Sequence, residues 1–361
     1  MHTFRNGERG QRQDSARVAN ILRGAWRSVP PPLDFTMDDL QLALPLLQDA
    51  SLTALAWWRI RRTPLAQTHA GVILRQEYVT QSIRAAAASH RVYQYVSALQ
   101  AQNIDPIVFK GWALVPHYAE AGMRPAGDVD LAVAPYAAER AAQILRDLGA
   151  KPTEMDVHPG LADAAHAAYI PHSSWEEIYA RSLQKSIGAV QVRVLDPADE
   201  LQLLCIHFLR HLGARPIWLC DIAAALETRP ENFDWTRALA KPPFTSWIEC
   251  AILLAHELLD ANLENTPLAA RQTLPTWLVS DVLQRWAQPR TPSIMVHDSV
   301  FQIWRNPARW KEAVAARVPN RLAATLDFQG SLDEPFLARY QARWLWRRLT
   351  AFAERTVRRA P

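Results

Sequence analysis

Apolar residues recur at helical spacing through the N-terminal third of the chain. The longest run predicts a helix over 71–102, and shorter runs predict helices over 16–28 and 51–62. Thr36 and Asp39 have the spacing of a capping box, which predicts another helix that Pro45 should kink or end. The broad apolar face of the longest helix comprises Ile73, Leu74, Tyr78, Ile83, Ala86, Val92, Tyr95, Val96 and Leu99. We therefore expect an all-helical region over 16–102, preceded by a disordered tail over 1–15.

The pattern changes after Asn103, where short runs of β-branched and apolar residues replace the helical spacing. These runs predict strands over 104–109, 128–133, 153–158 and 191–195. One helix is expected directly after Lys110-Gly111. Another is expected over 136–148, ended by Gly149 in a left-handed conformation. The region 103–195 is thus predicted to be a small α/β unit.

Helical spacing returns at Asp196, which is a favourable N-cap residue followed by Pro197 in the first turn. Leu201, Leu204, Cys205, Phe208 and Leu212 form the apolar face of this helix. Further helices are predicted over 217–227, 235–240, 245–261, 268–286, 297–304, 308–325 and 335–358. We divide this part into a helical domain over 196–290 and C-terminal helices with a basic tail over 291–361. The whole pattern predicts an α+β fold, with a small mixed sheet embedded between N- and C-terminal helical regions.

Composition agrees with a folded, helix-rich protein. Of 361 residues, 49% are hydrophobic and 21% are charged, which excludes disorder as the main state. Only 12 are glycine, which favours helix over a turn-rich all-β fold. Neither a run of the ~20 apolar residues that a membrane span needs nor an N-terminal signal peptide is recognisable. The three cysteines fall in apolar helical stretches and read as buried free thiols, so we expect a cytoplasmic protein.

The charge is mildly basic and is concentrated near the C-terminus. A net charge of +4 alone is too weak to indicate nucleic acid. The segment 343–348 reads Arg-Trp-Leu-Trp-Arg-Arg within a helix that also carries Arg339, Arg355, Arg358 and Arg359. Such a basic amphipathic helix fits two interpretations. Either its Trp side packs on the protein and its Arg side is solvated, which we favour, or it meets nucleic acid or an anionic membrane surface.

Asp128 and Asp130 are the strongest candidates for chemistry. Two carboxylates two positions apart on a strand point to the same face, with Cα atoms about 6.5–7 Å apart. Glu154, Asp156 and His158 alternate in the same way on the following predicted strand. If these strands are neighbours, Asp156 supplies a third carboxylate, and hard oxygen ligands of this kind suit Mg²⁺ or Mn²⁺. The alternative is a surface Asp-x-Asp pair that binds nothing.

Lys110-Gly111 and Arg124 are candidates for phosphate binding. Glycine lets the backbone approach a ligand closely, and a helix N-terminus attracts phosphate. Lys110 lies 18 residues before Asp128, so a strand–helix–strand unit brings both to one end of a sheet. Arg124 either joins them or is a solvated loop residue.

Two other patterns have ordinary structural interpretations. His207 and His211 are spaced as a metal pair on a helix, but Glu does not follow His207 as in His-Glu-x-x-His, so we favour packing or capping. Asp221, in an apolar helix, is expected to pair with a nearby Arg or His. Gly-x-Ser-x-Gly and Cys-x-x-Cys motifs are both absent from the sequence.

The segments 109–114 (FKGWAL) and 124–131 (RPAGDVDL) together resemble the uncharacterised nucleotidyltransferase family of the polymerase-β-like nucleotidyltransferase superfamily. Residues 155–158 are similar to a later strand of that family, and 201–211 and 218–221 to the helices that follow. The likeness extends over about 35–260. The sequence departs from the wider superfamily at Gly111-Trp112, where Gly-Ser is usual, and the segment between Gly149 and Thr153 is short.

The resemblance implies a metal-dependent enzyme that moves an NMP from an NTP to an acceptor. Asp128, Asp130 and Asp156 are then expected to hold two Mg²⁺ or Mn²⁺ ions, with Lys110, Gly111 and Arg124 at the NTP phosphates. The acceptor is left open as a small molecule, a peptide or protein, or RNA. Two alternatives also stay open: a catalytically inactive nucleotide-binding protein, and a nucleic-acid-binding protein that uses the basic C-terminal helix.

Overall fold

The chain folds around one mixed sheet whose two faces are covered by helices. The structure is a computed structural model that describes residues 13–125, 127–162, 168–187, 189–270, 274–287 and 319–357. The strands are β1 (Ile107–Phe109), β2 (Val129–Val133), β3 (Met155–Pro159), β4 (Leu183–Ile187) and β5 (Val190–Val194). The longer helices before and within the sheet region are α1 (13–22), α2 (Met37–Asp49), α3 (Thr53–Ile60), α4 (His69–Gln100), α5 (Ala138–Asp147) and α6 (Trp175–Arg181). Those that follow the sheet are α7 (Pro197–Arg210), α8 (Pro216–Glu227), α9 (Trp235–Ala238), α10 (Phe244–Leu259), α11 (Thr276–Trp286), α12 (Arg321–Asp327) and α13 (Ala338–Val357).

The five strands lie in the order β3-β2-β1-β5-β4. Strand β1 pairs antiparallel to β2 and parallel to β5, and β4 closes the other edge antiparallel to β5. Strands β2 and β3 run parallel, with Asp130 opposite Asp156. In the same ladder, Phe109 of β1 lies opposite Asp130. The register therefore brings the acidic positions of two strands side by side.

Alternation along the strands separates two hydrophobic cores. Val129, Leu131 and Val133 of β2 join α4 and α5 in the core under one face of the sheet. Ala132 and Phe109 belong instead to a larger core that includes α2, α3, α7, α8 and α10. Because Asp130 shares the face of Ala132, its carboxylate lies on the side of α7 and α8.

Most predicted elements are confirmed, including the four predicted strands and the α+β fold class. Asp196 caps α7 as predicted, because its side chain accepts a hydrogen bond from the Ala198 N–H at 2.9 Å. Gly149 has a positive φ of 91°, as the predicted end of α5 requires. The three cysteines are free and buried. Within the described residues, we find no helix that combines the length and apolar character needed to cross a membrane.

Several expectations were wrong. Pro45 does not end helix α2, which was one of the two expected outcomes; the helix continues to Asp49, since burial of Leu40, Leu44 and Leu47 offsets the missing hydrogen bond. Residues 13–15, assigned to a disordered tail, belong to α1, and Ser15 is fully buried. Strand β4 was missed because its residues are largely exposed and polar, without the apolar signal of a core strand.

The segment after Lys110 also differs from its prediction. Residues Gly111–His117 form a 3₁₀ helix rather than an α-helix. Pro116 within it has no N–H to donate, which favours a short, tight segment. Helix α11 begins at Thr276, later than expected. The helix predicted over 297–304 and most of that predicted over 308–325 lie outside the described residues, as do residues 1–12 of the predicted tail.

Candidate active site

A cleft of about 700 Å³ lies between one end of β1–β3 and the helices α7 and α8. Its acidic side chains are Asp128, Asp130 and Asp156, and its cationic side chains are Lys110, Arg124, Arg210 and Arg215. Gly111 lines the same space. The structure thus brings together in one cleft the six residues that the family resemblance assigns to metal ions or phosphates.

Asp130, Asp156 and His158 form a compact cluster of metal-ligating groups. One potential ligand atom from each lies within 4.8 Å of the others. The Nε2 atom of His158 is 3.0 Å from Asp156 Oδ2 and 3.3 Å from Asp130 Oδ1. Strand pairing explains this convergence, because Asp130 and Asp156 are direct partners and His158 lies two residues further along β3. Two carboxylates and one imidazole are a donor set suited to a divalent cation.

His158 is held so that Nε2 faces the two carboxylates. Its Nδ1 lies 3.1 Å from the carbonyl oxygen of Ala162, which can only accept, so Nδ1 carries a proton. Burial lowers the pKa of His158, but hydrogen bonds to Asp130 and Asp156 outweigh this effect and raise the pKa to about 9. The ring also packs edge-on against Phe109 with centroids 5.0 Å apart. His158 is the cluster member that the sequence analysis did not assign, although it shares the alternation of Asp156.

Asp128 lies just before β2 and opens into the cleft without belonging to this cluster. Desolvation by the surrounding protein and the negative charges of Asp130 and Asp156 raise the pKa of Asp128. The pKa of Asp156 is lowered, first by its hydrogen bond with His158, so Asp128 binds a proton more readily than Asp156 does. Such a group is suited to proton transfer as well as to metal binding.

Lys110 and Gly111 form an unusual backbone turn at the end of β1. Their φ angles are 53° and 36°, and the first is strained for a residue with a side chain. The Lys110 ammonium lies 3.6 Å from Asp130 Oδ1 and 4.4 Å from the ring centre of Tyr169. A Cβ atom at Gly111 would lie 3.3 Å from the carbonyl oxygen of Asp128. The turn therefore places a cation beside the acidic cluster, and a side chain at Gly111 would be both strained in its backbone and tightly packed.

Arg124 is buried and paired rather than solvated. Its Nε and Nη2 atoms donate to the two carboxylate oxygens of Asp221 at 3.2 and 3.0 Å. The Tyr118 hydroxyl donates to Asp221 at 2.6 Å, and Arg124 Nη1 donates to the carbonyl oxygen of Pro125 at 3.0 Å. The expected pairing of Asp221 with an Arg is confirmed. Through these bonds, α8 anchors the loop that leads into Asp128.

Four rings form a wall of the cleft, which we call the aromatic wall: Tyr169, His207, His211 and Trp218. His207 lies 4.4 Å from His211 and 4.6 Å from Trp218 between ring centroids. The two imidazoles therefore pack against each other and against Trp218, as the favoured interpretation of this pair expects. Burial, together with the charges of Lys110, His211, Arg124 and Arg215, lowers the pKa of His207 to about 2. His207 is therefore a neutral imidazole.

The basic helix α13 is only partly packed. The Trp344 indole donates to Asp327 at 3.0 Å, and Arg343 lies 4.4 Å from the ring centre of Phe328. Trp346, in contrast, is 70% exposed. The expected division into a packed Trp side and a solvated Arg side was therefore wrong for Trp346. Arg358 and Arg359 lie outside the described residues.

A second cleft, of about 650 Å³, is lined by Arg27, Glu227, Arg229 and Trp235 among others. Several of its charged groups are occupied by protein contacts. Arg27 donates twice to Glu227, at 2.9 and 2.6 Å, and Arg229 donates to backbone carbonyl oxygens. Over the described residues, the cleft at β1–β3 differs from it in holding the cluster of Asp130, Asp156 and His158.

Residues 36–260 match the family described as uncharacterised nucleotidyltransferase. Comparison with curated proteins gives no match, and comparison with solved structures gives none either. Because the match covers more than half of the chain, the chain belongs to this family. The chain is thus a member of a nucleotidyltransferase family, and its Asp130, Asp156 and His158 form a cluster that could hold a metal ion.

Proposed function

We propose that this member of the nucleotidyltransferase family transfers an NMP from an NTP to an acceptor hydroxyl in the cleft between β1–β3 and α7–α8. The observation that carries the proposal is the pairing of Asp130 and Asp156 across parallel strands, with Lys110 in contact with Asp130. An NTP requires acidic groups for its counter-cations and basic groups for its phosphates. This cleft offers both within one space.

The donor set fits a divalent cation. Asp130 and Asp156 supply oxygen ligands, and His158 presents Nε2 once its proton is released. An imidazole in the set favours Mn²⁺ over Mg²⁺, since Mg²⁺ prefers oxygen ligands alone. A cation bound here would act as a Lewis acid and neutralise charge on the phosphates. Asp128, open to the same cleft, is assigned as a further ligand or as the proton acceptor.

The protein groups have separate roles in the proposed transfer. The acceptor oxygen attacks the α-phosphorus, the bond to the β-phosphate oxygen breaks, and pyrophosphate leaves. Asp128 accepts the proton of the acceptor hydroxyl, a role that its raised pKa favours. Lys110 contacts the negative phosphates, and Gly111 lets the backbone approach them. Arg124 is a positioning residue, because its bonds to Asp221 and Pro125 hold the loop before Asp128.

Calorimetric titration of each NTP with Mg²⁺ or Mn²⁺ tests the proposal. We expect metal-dependent binding to the wild type and a loss well beyond 10-fold in Asp130→Asn, since even outer-shell partners of a metal contribute roughly 10- to 100-fold. Mn²⁺ alone should raise the Tm of the wild type and not that of the variant. Glu154→Gln is the matched control, because Glu154 accepts from the Lys151 N–H and lies outside the cleft. Undiminished NTP binding by Asp130→Asn would refute the assignment.

Release of pyrophosphate separates the enzyme from a binding protein with the same fold. Trp112 occupies the position where the wider superfamily has a serine hydroxyl, and this observation favours the binding protein as the second candidate. Metal-dependent pyrophosphate release from an NTP in the presence of an acceptor supports the enzyme. Tight NTP binding without release across small-molecule, peptide and RNA acceptors supports the binding protein.

A further inference from the structure

The aromatic wall has no role in the transfer described above, yet it faces the same cleft. Trp218 is half-buried, with its ring 4.6 Å from His207 and 5.0 Å from His211 between centroids. Arg215 lies 5.0 Å from the Trp218 ring centre and is exposed. Tyr169 continues the wall 5.7 Å from His207. The rings thus form a continuous surface rather than isolated core residues.

Two polar atoms of this wall are not used by the protein. The buried Nδ1 of His207 has no hydrogen-bond partner within the described residues. Over the same ranges, the Trp218 indole N–H is not donated to any protein group. The buried indoles of Trp247 and Trp286, in contrast, donate to the carbonyl oxygens of Gly330 and Gly213, each at 2.8 Å. Buried polar atoms are normally satisfied. The His207 ring therefore keeps hydrogen-bonding capacity that the described protein groups do not use.

A series of contacts leads from the acidic cluster to this wall. Lys110 lies 3.6 Å from Asp130 and 4.4 Å from the Tyr169 ring, Tyr169 contacts His207, and His207 contacts Trp218. A ligand whose phosphates lie at the acidic cluster and Lys110 therefore extends its remaining part towards Trp218. For an NTP, that part is the nucleoside.

We propose that the aromatic wall is the nucleobase subsite, with the base stacked on Trp218 and hydrogen-bonded by His207. This inference rests on the proposed function, because it takes an NTP as the ligand. Any base offers a π-face to the indole, so stacking provides affinity without strong base preference. The neutral imidazole of His207 carries one donor and one acceptor, so it can read an edge of the base. Arg215, whose guanidinium lies over the Trp218 ring, supplies positive charge to the same subsite.

Comparing an NTP with inorganic tripolyphosphate isolates the subsite, because tripolyphosphate has no base. Both ligands are titrated with Mn²⁺ into the wild type, Trp218→Leu and Trp218→Phe, with circular dichroism as a check on folding. We expect Trp218→Leu to weaken NTP binding roughly 5- to 100-fold and to leave tripolyphosphate binding unchanged. Trp218→Phe should retain most of the NTP affinity, because it keeps an aromatic face.

The outcomes separate this inference from the proposed function. Equal wild-type affinity for NTP and tripolyphosphate overturns the subsite without any variant, and so does parallel weakening of both ligands in Trp218→Leu. Trp218→Phe provides the test if Trp218→Leu does not fold. The stacking is overturned if Trp218→Phe binds NTP no more tightly than the wild type binds tripolyphosphate, because phenylalanine keeps an aromatic face. If the wild type binds neither ligand, or if binding survives Asp130→Asn, the proposed function itself fails.

Discussion

Asp221→Asn tests whether the buried pair between α8 and the loop before β2 supports both the fold and the cleft. Asp221 is 1% exposed, and its carboxylate accepts two bonds from Arg124 and one from Tyr118. Asparagine has one acceptor oxygen where the carboxylate has two, and its amide nitrogen faces donors. The substitution therefore leaves the Arg124 guanidinium buried without its counter-charge.

The expected loss of stability follows from this geometry. Removing one partner of a buried, hydrogen-bonded ion pair costs about 3–5 kcal/mol, because the remaining charge is uncompensated. This range applies to Arg124 and Asp221 because they share two N–H···O bonds of 3.2 and 3.0 Å and because at least 89% of each side chain is shielded from solvent. Urea unfolding measures the change as a lower midpoint with an unchanged m-value. A loss below about 1 kcal/mol would show that Arg124 and Asp221 do not depend on each other as the distances imply.

The same variant should weaken NTP binding, since Arg124 also holds the carbonyl oxygen of Pro125 ahead of Asp128. Glu227→Gln is the matched control. It removes a carboxylate from a comparable two-bond pair with Arg27, and Glu227 does not line the cleft at β1–β3. We expect both variants to lose stability and only Asp221→Asn to lose NTP affinity when both are titrated below their unfolding temperatures. Equal weakening of NTP binding in the two variants would show a general effect of instability and would contradict the positioning role of Arg124.

Two further predictions address the turn and the acid stability. Gly111→Ala should weaken NTP binding by at least about 10-fold in calorimetry. A side chain at φ 36° is strained by roughly 1–2 kcal/mol, and its Cβ would lie 3.3 Å from the Asp128 carbonyl oxygen. An unchanged affinity would argue against a close approach of ligand and backbone. Burial alone raises the pKa of Glu227, but hydrogen bonds from Arg27, the Asn262 N–H and Trp26 outweigh it and lower the pKa. The stability from Glu227 is therefore present above its unfolded pKa of about 4.3 and is lost as the pH falls through the lower folded value. Urea unfolding from pH 7 to pH 3 should show a shallower acid slope for Glu227→Gln than for the wild type, and parallel slopes would contradict this assignment.

The acidic half of the candidate site could be predicted because its pattern is local. Alternation along a strand fixes the face of Asp130 and of Asp156, and only the pairing of two consecutive strands had to be assumed. The strands themselves were recognisable from β-branched residues bounded by turns. His158 obeys the same alternation, but an imidazole near a strand end has many structural uses, and spacing alone did not select it.

The other half of the cleft depends on contacts between distant segments. Arg124 and Asp221 are separated by 97 residues, and only the packing of α8 against the sheet region brings them together. The aromatic wall likewise combines Tyr169 with residues of α7 and α8. Helical periodicity indicates which face of α7 is apolar but not which side chains that face meets. The sequence therefore indicates that Asp221 needs a cationic partner, and only the tertiary packing determines that this partner is Arg124.

Because position 112 is a tryptophan and not a serine, no hydroxyl is present there for the phosphates, and Lys110 is left as the expected phosphate contact. Its indole N–H donates to Ser89 Oγ of α4 at 2.9 Å, so the side chain packs against α4 and does not line the cleft. Lys110 instead turns into the cleft through a backbone conformation that costs of order 1–3 kcal/mol for a non-glycine residue. Such a conformation persists only where surrounding contacts enforce it, and here Asp130 and Tyr169 hold the ammonium. The strained lysine, rather than a hydroxyl at position 112, is therefore the group on which phosphate binding in this cleft should depend.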